Sequence, residues 1–398
     1  MSVRRVLLVA VVAAAIFVPS TAASSGHLGR FRLALVPLQT AQLGPEAASF
    51  ALNYGSGSTG GGFILVSSGN SPILGGGDSQ GEVGGYVLDY GDPYTGSAGV
   101  TEIRSSVEEY KTRLDARDAL RSGRLLDGLF QPLFLGSPFV HVTAKKVKTA
   151  PVGERRFGYL ITEAAPNLNP IVSLDEQVMA GKFVLDLTVT AGSASEAERI
   201  APHLLRVLHR RLQLVLEGAD LGTPAKLPPE PRTGQAPGGP DLSTLILQPQ
   251  DVGQSHAVSL DQGYVPAPPA LSDFSMDLSP AGTYDDLEQQ IGWWPTATEA
   301  RYAETYGGGS PYGIPFAFLG DFGGNPGGTV TPVDLSSVDD PATGYIVSGR
   351  DGSAAYVVLT NGQAGESIVA SSKNTLQASD VQSLAQAAAN RLDAGLGP

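Results

Sequence analysis

Residues Lys182 to Val215 read KFVLDLTVTAGSASEAERIAPHLLRVLHRRLQLV, a strand pattern running straight into a helix pattern. Phe183, Leu185, Leu187 and Val189 recur every second residue, the period of a half-buried strand. Ser195 then stands three residues before Glu198, the spacing of a capping box. Beyond it Ala197, Ile200, Leu204, Leu208, Leu212 and Val215 share one stripe of a helix, with Arg199, Arg206 and Arg210 mostly turned away. A strand that feeds such a helix predicts a helix laid on one face of an antiparallel sheet.

The C-terminus repeats the pattern. Ala354 to Thr360 and Ser367 to Ser371 read as strands, with Asn361 and Gly362 as the turn between them. Ser379 and Gln382 have capping-box spacing, and Val381, Leu384, Ala385, Ala388 and Leu392 form a narrow stripe of small residues that lets a helix lie close to a sheet. Further strands are predicted at Phe139 to Val147, Arg156 to Thr162, Thr329 to Asp334 and Gly344 to Ser348, each bounded by Gly, Pro or Asp. Leu33 to Leu38 (LALVPL) and Leu245 to Pro249 (LILQP) are short apolar openings to the two halves. The expected fold is α+β: two tandem lobes, each an antiparallel meander with a C-terminal helix on one face, with duplication as the expected origin.

Boundaries follow from composition. Arg4 and Arg5 precede an apolar run from Val6 to Val18, then Pro19 and small residues up to Ala23, which predicts a secretory signal peptide over 1–23. The run would rise about 20 Å as a helix, short of a bilayer core of about 30 Å, so no stable membrane span is expected after cleavage. Gly218 to Pro240 carries six prolines and no apolar periodicity, which predicts an extended linker over 218–240 between lobes at 24–217 and 241–398. A chain of 398 residues suits two cores better than one. The first lobe has 18 Lys and Arg against 19 Asp and Glu, the second 4 against 18, so the net charge of -13 belongs almost wholly to the second. That acidity opposes nucleic acid as a partner. Cys is absent, which excludes disulfides, thiolate metal sites and a cysteine nucleophile.

The order of short strands, a Gly-Tyr-bearing strand (Gly85 and Tyr86; Gly344 and Tyr345), a strand with a turn and a capped terminal helix resembles exported actinobacterial sensor-like and lipoprotein-like proteins. Among these are the extracellular sensor domains of mycobacterial kinases and PsbP-like α+β sandwiches. The likeness covers about the last 75 residues of each lobe, without a lipobox cysteine or a Cys pair. It implies a ligand-binding or protein-contact role outside the membrane, without catalysis.

Motifs for chemistry are few. Gly55 to Gly60 has GxGxxG spacing, but Phe63 to Val66 after it reads as a strand and not as the helix that a dinucleotide loop needs, so a flexible connection is expected. His203 and His209 lie about 240° apart around one helix and cannot share an ion from it, and neither HExxH nor GxSxG occurs. Asp273, Asp277, Asp285, Asp286 and Glu288, and separately Asp334, Asp339 and Asp340, could offer calcium ligands, but a solvated acidic surface is the expected reading. Lys145, Lys146, Lys148, Arg155 and Arg156, and Arg199, Arg206, Arg210 and Arg211, are read as solvating charges, with anionic wall polymer or the acidic lobe as the contact otherwise available to them. The unusual stretch is 293–322, where Trp293, Trp294, Tyr302, Tyr306, Tyr312, Phe316, Phe318 and Phe322 are interrupted by Gly and Pro. Trp293, Trp294, Tyr302, Tyr306, Tyr312 and Phe316 are the expected ligand-binding residues, with core capping as the competing use of the same rings. No catalytic residue, metal or cofactor is expected. The function expected is a secreted, non-catalytic two-lobe binding or sensor-like protein that meets an envelope ligand or protein. The alternatives are an envelope-glycan hydrolase using Glu299 and Glu304, and a protein-interaction scaffold.

Overall fold

The structure, a computed structural model, describes residues 27–58, 81–91, 99–121, 141–164, 168–227, 234–253, 259–265, 270–306, 329–338, 340–349 and 352–397. It contains two seven-stranded antiparallel sheets of identical strand order. The first is built from β1 (Leu52–Ser58), β2 (Glu82–Gly91), β3 (Val100–Tyr110), β4 (His141–Lys146), β5 (Arg155–Ala164), β6 (Ile171–Ala180) and β7 (Phe183–Ala191), in the order β1-β2-β3-β7-β6-β5-β4. The second is built from β8 (Ser259–Val265), β9 (Ser272–Ser279), β10 (Asp286–Trp293), β11 (Thr329–Val333), β12 (Ala342–Ser348), β13 (Ser353–Asn361) and β14 (Ala364–Ser372), in the order β8-β9-β10-β14-β13-β12-β11. Neither sheet is a simple meander. The chain leaves the third strand of each, crosses to the far edge and returns, so that the first three strands and the last four meet at β3–β7 and at β10–β14. Side-chain alternation gives each strand its faces but not its neighbours, which is why the crossover is invisible in the sequence.

The helices are α1 (Arg30–Leu33), α2 (113–121), α3 (Ala194–Leu216), α4 (Ala297–Tyr306) and α5 (Ala378–Leu396). The long helices α3 and α5 cover one face of their sheets as predicted, and the predicted stripes on both are buried. Their caps lie two residues earlier than predicted. Ser193 is extended and its hydroxyl meets Glu196 at 2.8 Å, while the backbone N–H of Gln377 donates to Asp380 at 2.7 Å. Both pairs have the spacing that was assigned to Ser195 and Glu198 and to Ser379 and Gln382, so spacing alone did not fix the register. Arg211 is no solvating charge either. It is buried and donates to the carbonyls of Leu35 (2.5 Å) and Val36 (3.2 Å), tying the apolar opening of the lobe to α3.

Each sheet also carries a short helix on its other face, which was not foreseen. Helix α2 packs Ala116 and Leu120 on Phe157, Met179 and Val184, and α4 lies over β13 and β14. Both begin with the same device. Thr112 Oγ1 accepts from Asp115 N (3.1 Å), and Thr296 Oγ1 accepts from Glu299 N (3.1 Å), so TRLD and TATE mark equivalent points after β3 and β10.

The Gly-Tyr pairs correspond differently from the sequence expectation. Gly344-Tyr345 lies on β12, whose equivalent is β5 and its Gly158-Tyr159; Gly85-Tyr86 lies on β2, the equivalent of β9. A Cβ at Gly344 would stand 2.7 Å from Leu335, just after β11, and one at Gly158 would stand 3.2 Å from Val147, just after β4. In both lobes the edge strand's exit folds back over a glycine. Gly55 to Ser58 belong to β1, paired with β2, rather than to a flexible connection; at a sheet edge the ladder has one partner and glycine is tolerated. The rest of that motif lies outside the described residues.

Each sheet has its own apolar core under its long helix. Parts of the proline-rich stretch are seated on the protein: Leu221, Ala225 and Leu227 pack on the first core, and Gly239 lies against the ring of Trp293.

Candidate functional site

The side of the second sheet under α4 gathers Asp273, Glu304 and Tyr356, three groups whose proton affinity burial raises. Strand β10 ends at Trp293, whose ring faces the core under α5, while Trp294 turns to the opposite side. Gln363, in the β13–β14 turn, accepts Trp294 N at its backbone carbonyl (2.8 Å), and its side-chain amide donates to the carbonyls of Trp294 (2.8 Å) and Pro295 (2.5 Å). That clamp and the Thr296 cap fix where α4 starts. Replacing Thr296 by Ala is expected to cost about 1 kcal/mol, measured by urea unfolding; an unchanged midpoint would mean that burial alone holds α4.

From α4, Ala300, Tyr302 and Ala303 are buried with Trp294 against Ile171 of the first lobe, with Ile161, Leu168 and Ala270 around them. The Tyr302 hydroxyl accepts the backbone N–H of Asn169 at 3.0 Å. This is a junction between the lobes, and it contains two of the predicted ligand residues, Trp294 at 8% exposure and Tyr302 at 4%. Trp293 lies on the other side of the sheet. Tyr306 closes α4, and its side chain, with Tyr312 and Phe316, lies outside the described residues.

Asp273 on β9 and Glu304 on α4 supply the acid of the site. Asp273 is buried and both its oxygens accept from Gln290 Nε2 (3.0 and 3.1 Å). The Trp294 indole nitrogen lies over Gly292, where a Cβ would stand 2.8 Å from it and 3.4 Å from Asp273 Oδ2. Glu304 is buried over Gly365, where a Cβ would stand 2.6 Å from Glu304 Cγ. Burial pushes Asp273 up to about 7, and burial with the neighbouring Asp273 and Glu366 carboxyls pushes Glu304 well above the usual carboxylate range. Beneath the same strand, Glu366 takes a hydrogen bond from Gln289, whose oxygen accepts Leu247 N (2.9 Å), and burial pushes Glu366 up to about 8. Tyr356 on β13, 2% exposed, has no hydrogen-bond partner for its hydroxyl among the described residues and feels the Glu304 charge.

Glu299 and Glu304 do not form the pair that the hydrolase alternative needs. Five residues turn a helix by about 140° beyond a full turn, and the acid that faces Glu304 is Asp273. The sequence showed no sign of Asp273, Glu366 or Tyr356 as neighbours of α4, because they come from three strands whose order is not written in alternation; the repeated Thr-x-x-acid start was the available clue to α4. Of the calcium candidates, Asp273, Asp277, Asp286 and Glu288 share this side of the sheet, and Asp277 faces Glu288 directly. Among the described residues no group of three or more His, Asp and Glu is arranged to hold a metal ion, and Asp339 lies outside them.

The fold and site define a two-sheet α+β protein with a buried acidic and aromatic junction. No protein-family model matches the chain, and no curated protein matches it. Among solved structures it is similar to the extracellular domain of PknH from Mycobacterium tuberculosis, with 11% identity over 47% of this chain and 99% of that domain and a TM-score of 0.32. No described helix is long and apolar enough to cross a membrane.

Proposed function

We propose that the protein is an exported, non-catalytic binding module of the sensor-like kind, whose ligand is a component of the cell envelope. The observation that supports this reading is the pairing of Asp273 and Glu304, buried and with no ion-paired cation among the described residues, with Trp294 and Tyr302 where the two lobes meet. Neutral carboxyls beside aromatic rings can donate and accept hydrogen bonds while the rings stack on a sugar or an apolar group. Tyr306, Tyr312 and Phe316 complete the proposed set of ligand-contacting residues, and the N-terminal leader delivers the chain to the compartment where envelope polymer is found. A second reading, glycan hydrolysis, is favoured by the same two acids, with Asp273 in the place that Glu299 was expected to take.

Titration calorimetry of the full chain with soluble peptidoglycan fragments and with solubilised wall polymer tests both readings. Binding that Tyr306→Ala and Trp294→Phe weaken about tenfold or more, with the melting temperature kept and no new reducing ends released, is the expected result. Release of reducing ends that Asp273→Asn abolishes would replace it with the hydrolase reading. Binding of neither material would remove the envelope ligand and leave the scaffold.

A further inference from the structure

Helix α4 touches both lobes, and its two contacts differ in kind. Toward the first lobe it offers Tyr302 to Ile171 and Leu168, an apolar contact with one hydrogen bond from Asn169. Toward its own sheet it buries a carboxyl, Glu304, on the bare backbone of Gly365. The titratable groups on Glu304's side of the sheet are Asp273 of β9 and Tyr356 of β13, and the charge of Glu366 of β14 is felt from the sheet's other face. On its own helix Arg301 is exposed and Glu299 half-buried. From the first lobe, Glu163 lies directly across the ladder from Ile171, on the side of the sheet that α4 meets. Every one of these neighbours except exposed Arg301 is neutral or negative, so a charge on Glu304 would be buried without compensation.

From this arrangement we infer that α4 is a proton-operated clasp: with Glu304 uncharged it stays seated on β13 and β14 and holds the lobes together, and loss of that proton lifts it, uncovers Trp294 and frees the lobes from each other. The inference does not depend on the ligand proposed above. Burial, with the neighbouring Asp273 and Glu366 carboxyls, moves Glu304 well above the usual carboxylate range, so the release falls above the pH at which an exposed glutamate ionises.

Trp293 and Trp294 are the only tryptophans of the chain, so intrinsic fluorescence reads this junction through Trp294, over the background of Trp293 on the other side of the sheet. The experiment is a titration of the full chain from about pH 5.5 to pH 9 at fixed ionic strength, with acrylamide quenching, X-ray scattering and far-ultraviolet circular dichroism. The expected result is a red-shifted emission, a quenching constant raised about twofold and a larger radius of gyration, with the dichroism unchanged. Glu304→Gln, uncharged at every pH, is expected to abolish all three changes, whereas Glu163→Gln and Asp273→Asn shift their midpoint only. A wild-type chain whose emission and quenching stay constant over this range overturns the clasp, as does a Glu304→Gln chain that responds like wild type. Should Glu304→Gln fail to fold, Gly365→Ala decides: its methyl displaces Glu304, so quenching is high already at about pH 5.5, and a wild-type profile from that variant rejects the inference.

Discussion

Raising the pH from about 5.5 to about 8.5 is expected to lower the melting temperature by about 5–10 °C or more. Asp273, Glu304 and Glu366 in the second lobe and Glu176 in the first are buried carboxyls whose proton affinity rises on folding, chiefly because burial penalises their charged form. Unfolded, such groups titrate near pH 4; folded, Asp273 and Glu176 titrate at about 7 and Glu366 at about 8. Between those limits the folded chain holds more protons than the unfolded one. Stability is therefore full below about pH 4, declines as the pH climbs, and levels off above the folded values. Each extra bound proton is worth about 1.4 kcal/mol per pH unit, so even a third of the ideal effect from four groups amounts to several kcal/mol. His209, whose affinity burial lowers, works in the opposite sense below about pH 6.5 and offsets one proton. Calorimetry in buffers of matched ionic strength checks this. A melting temperature that is flat or rising over this range would contradict the burial assigned to these acids.

Leu208→Ala is expected to cost about 2–5 kcal/mol, while Leu216→Ala, eight residues on, should stay within about 0.5 kcal/mol. Both are leucines of α3, but Leu208 is fully buried under the first sheet and Leu216 is 44% exposed at the helix end. Removing Leu208 loses transfer energy and leaves a cavity between rows that cannot close over it, since Leu185, Leu204 and Leu212 are also buried in that core. Urea unfolding of the two variants side by side measures the difference. Equal costs would mean that the helix is rotated from the register described.

Much of the architecture was legible because it is periodic. The run from Phe183 to Val189 and the stripe from Ala197 to Val215 show their buried faces directly, since a strand repeats every two residues and a helix every 3.6. The equivalent elements at 354–392 were readable for the same reason, and the seats of both long helices follow from them. Local signals misled where they were degenerate. Two serines stand three residues before a glutamate at 193–198, and only the extended backbone at Ser193 shows which one caps. Two Gly-Tyr pairs in the first lobe could match Gly344-Tyr345, and only strand order selects Gly158-Tyr159.

By itself, then, the chain's wording determined the acidic second half, the alternation of the strands and the apolar stripe of each long helix, all of which depend on residues close together in sequence. Which strands lie side by side was decided only in three dimensions, by the crossover that joins β3 to β7 and β10 to β14. That step brought Asp273, Glu304 and Glu366 within reach of one another, set Trp293 and Trp294 on opposite sides of a sheet and laid Tyr302 against the other lobe. The physical reason is that proton affinity and burial depend on every neighbour in space, and neighbours ninety residues apart leave no periodic trace in the chain between them.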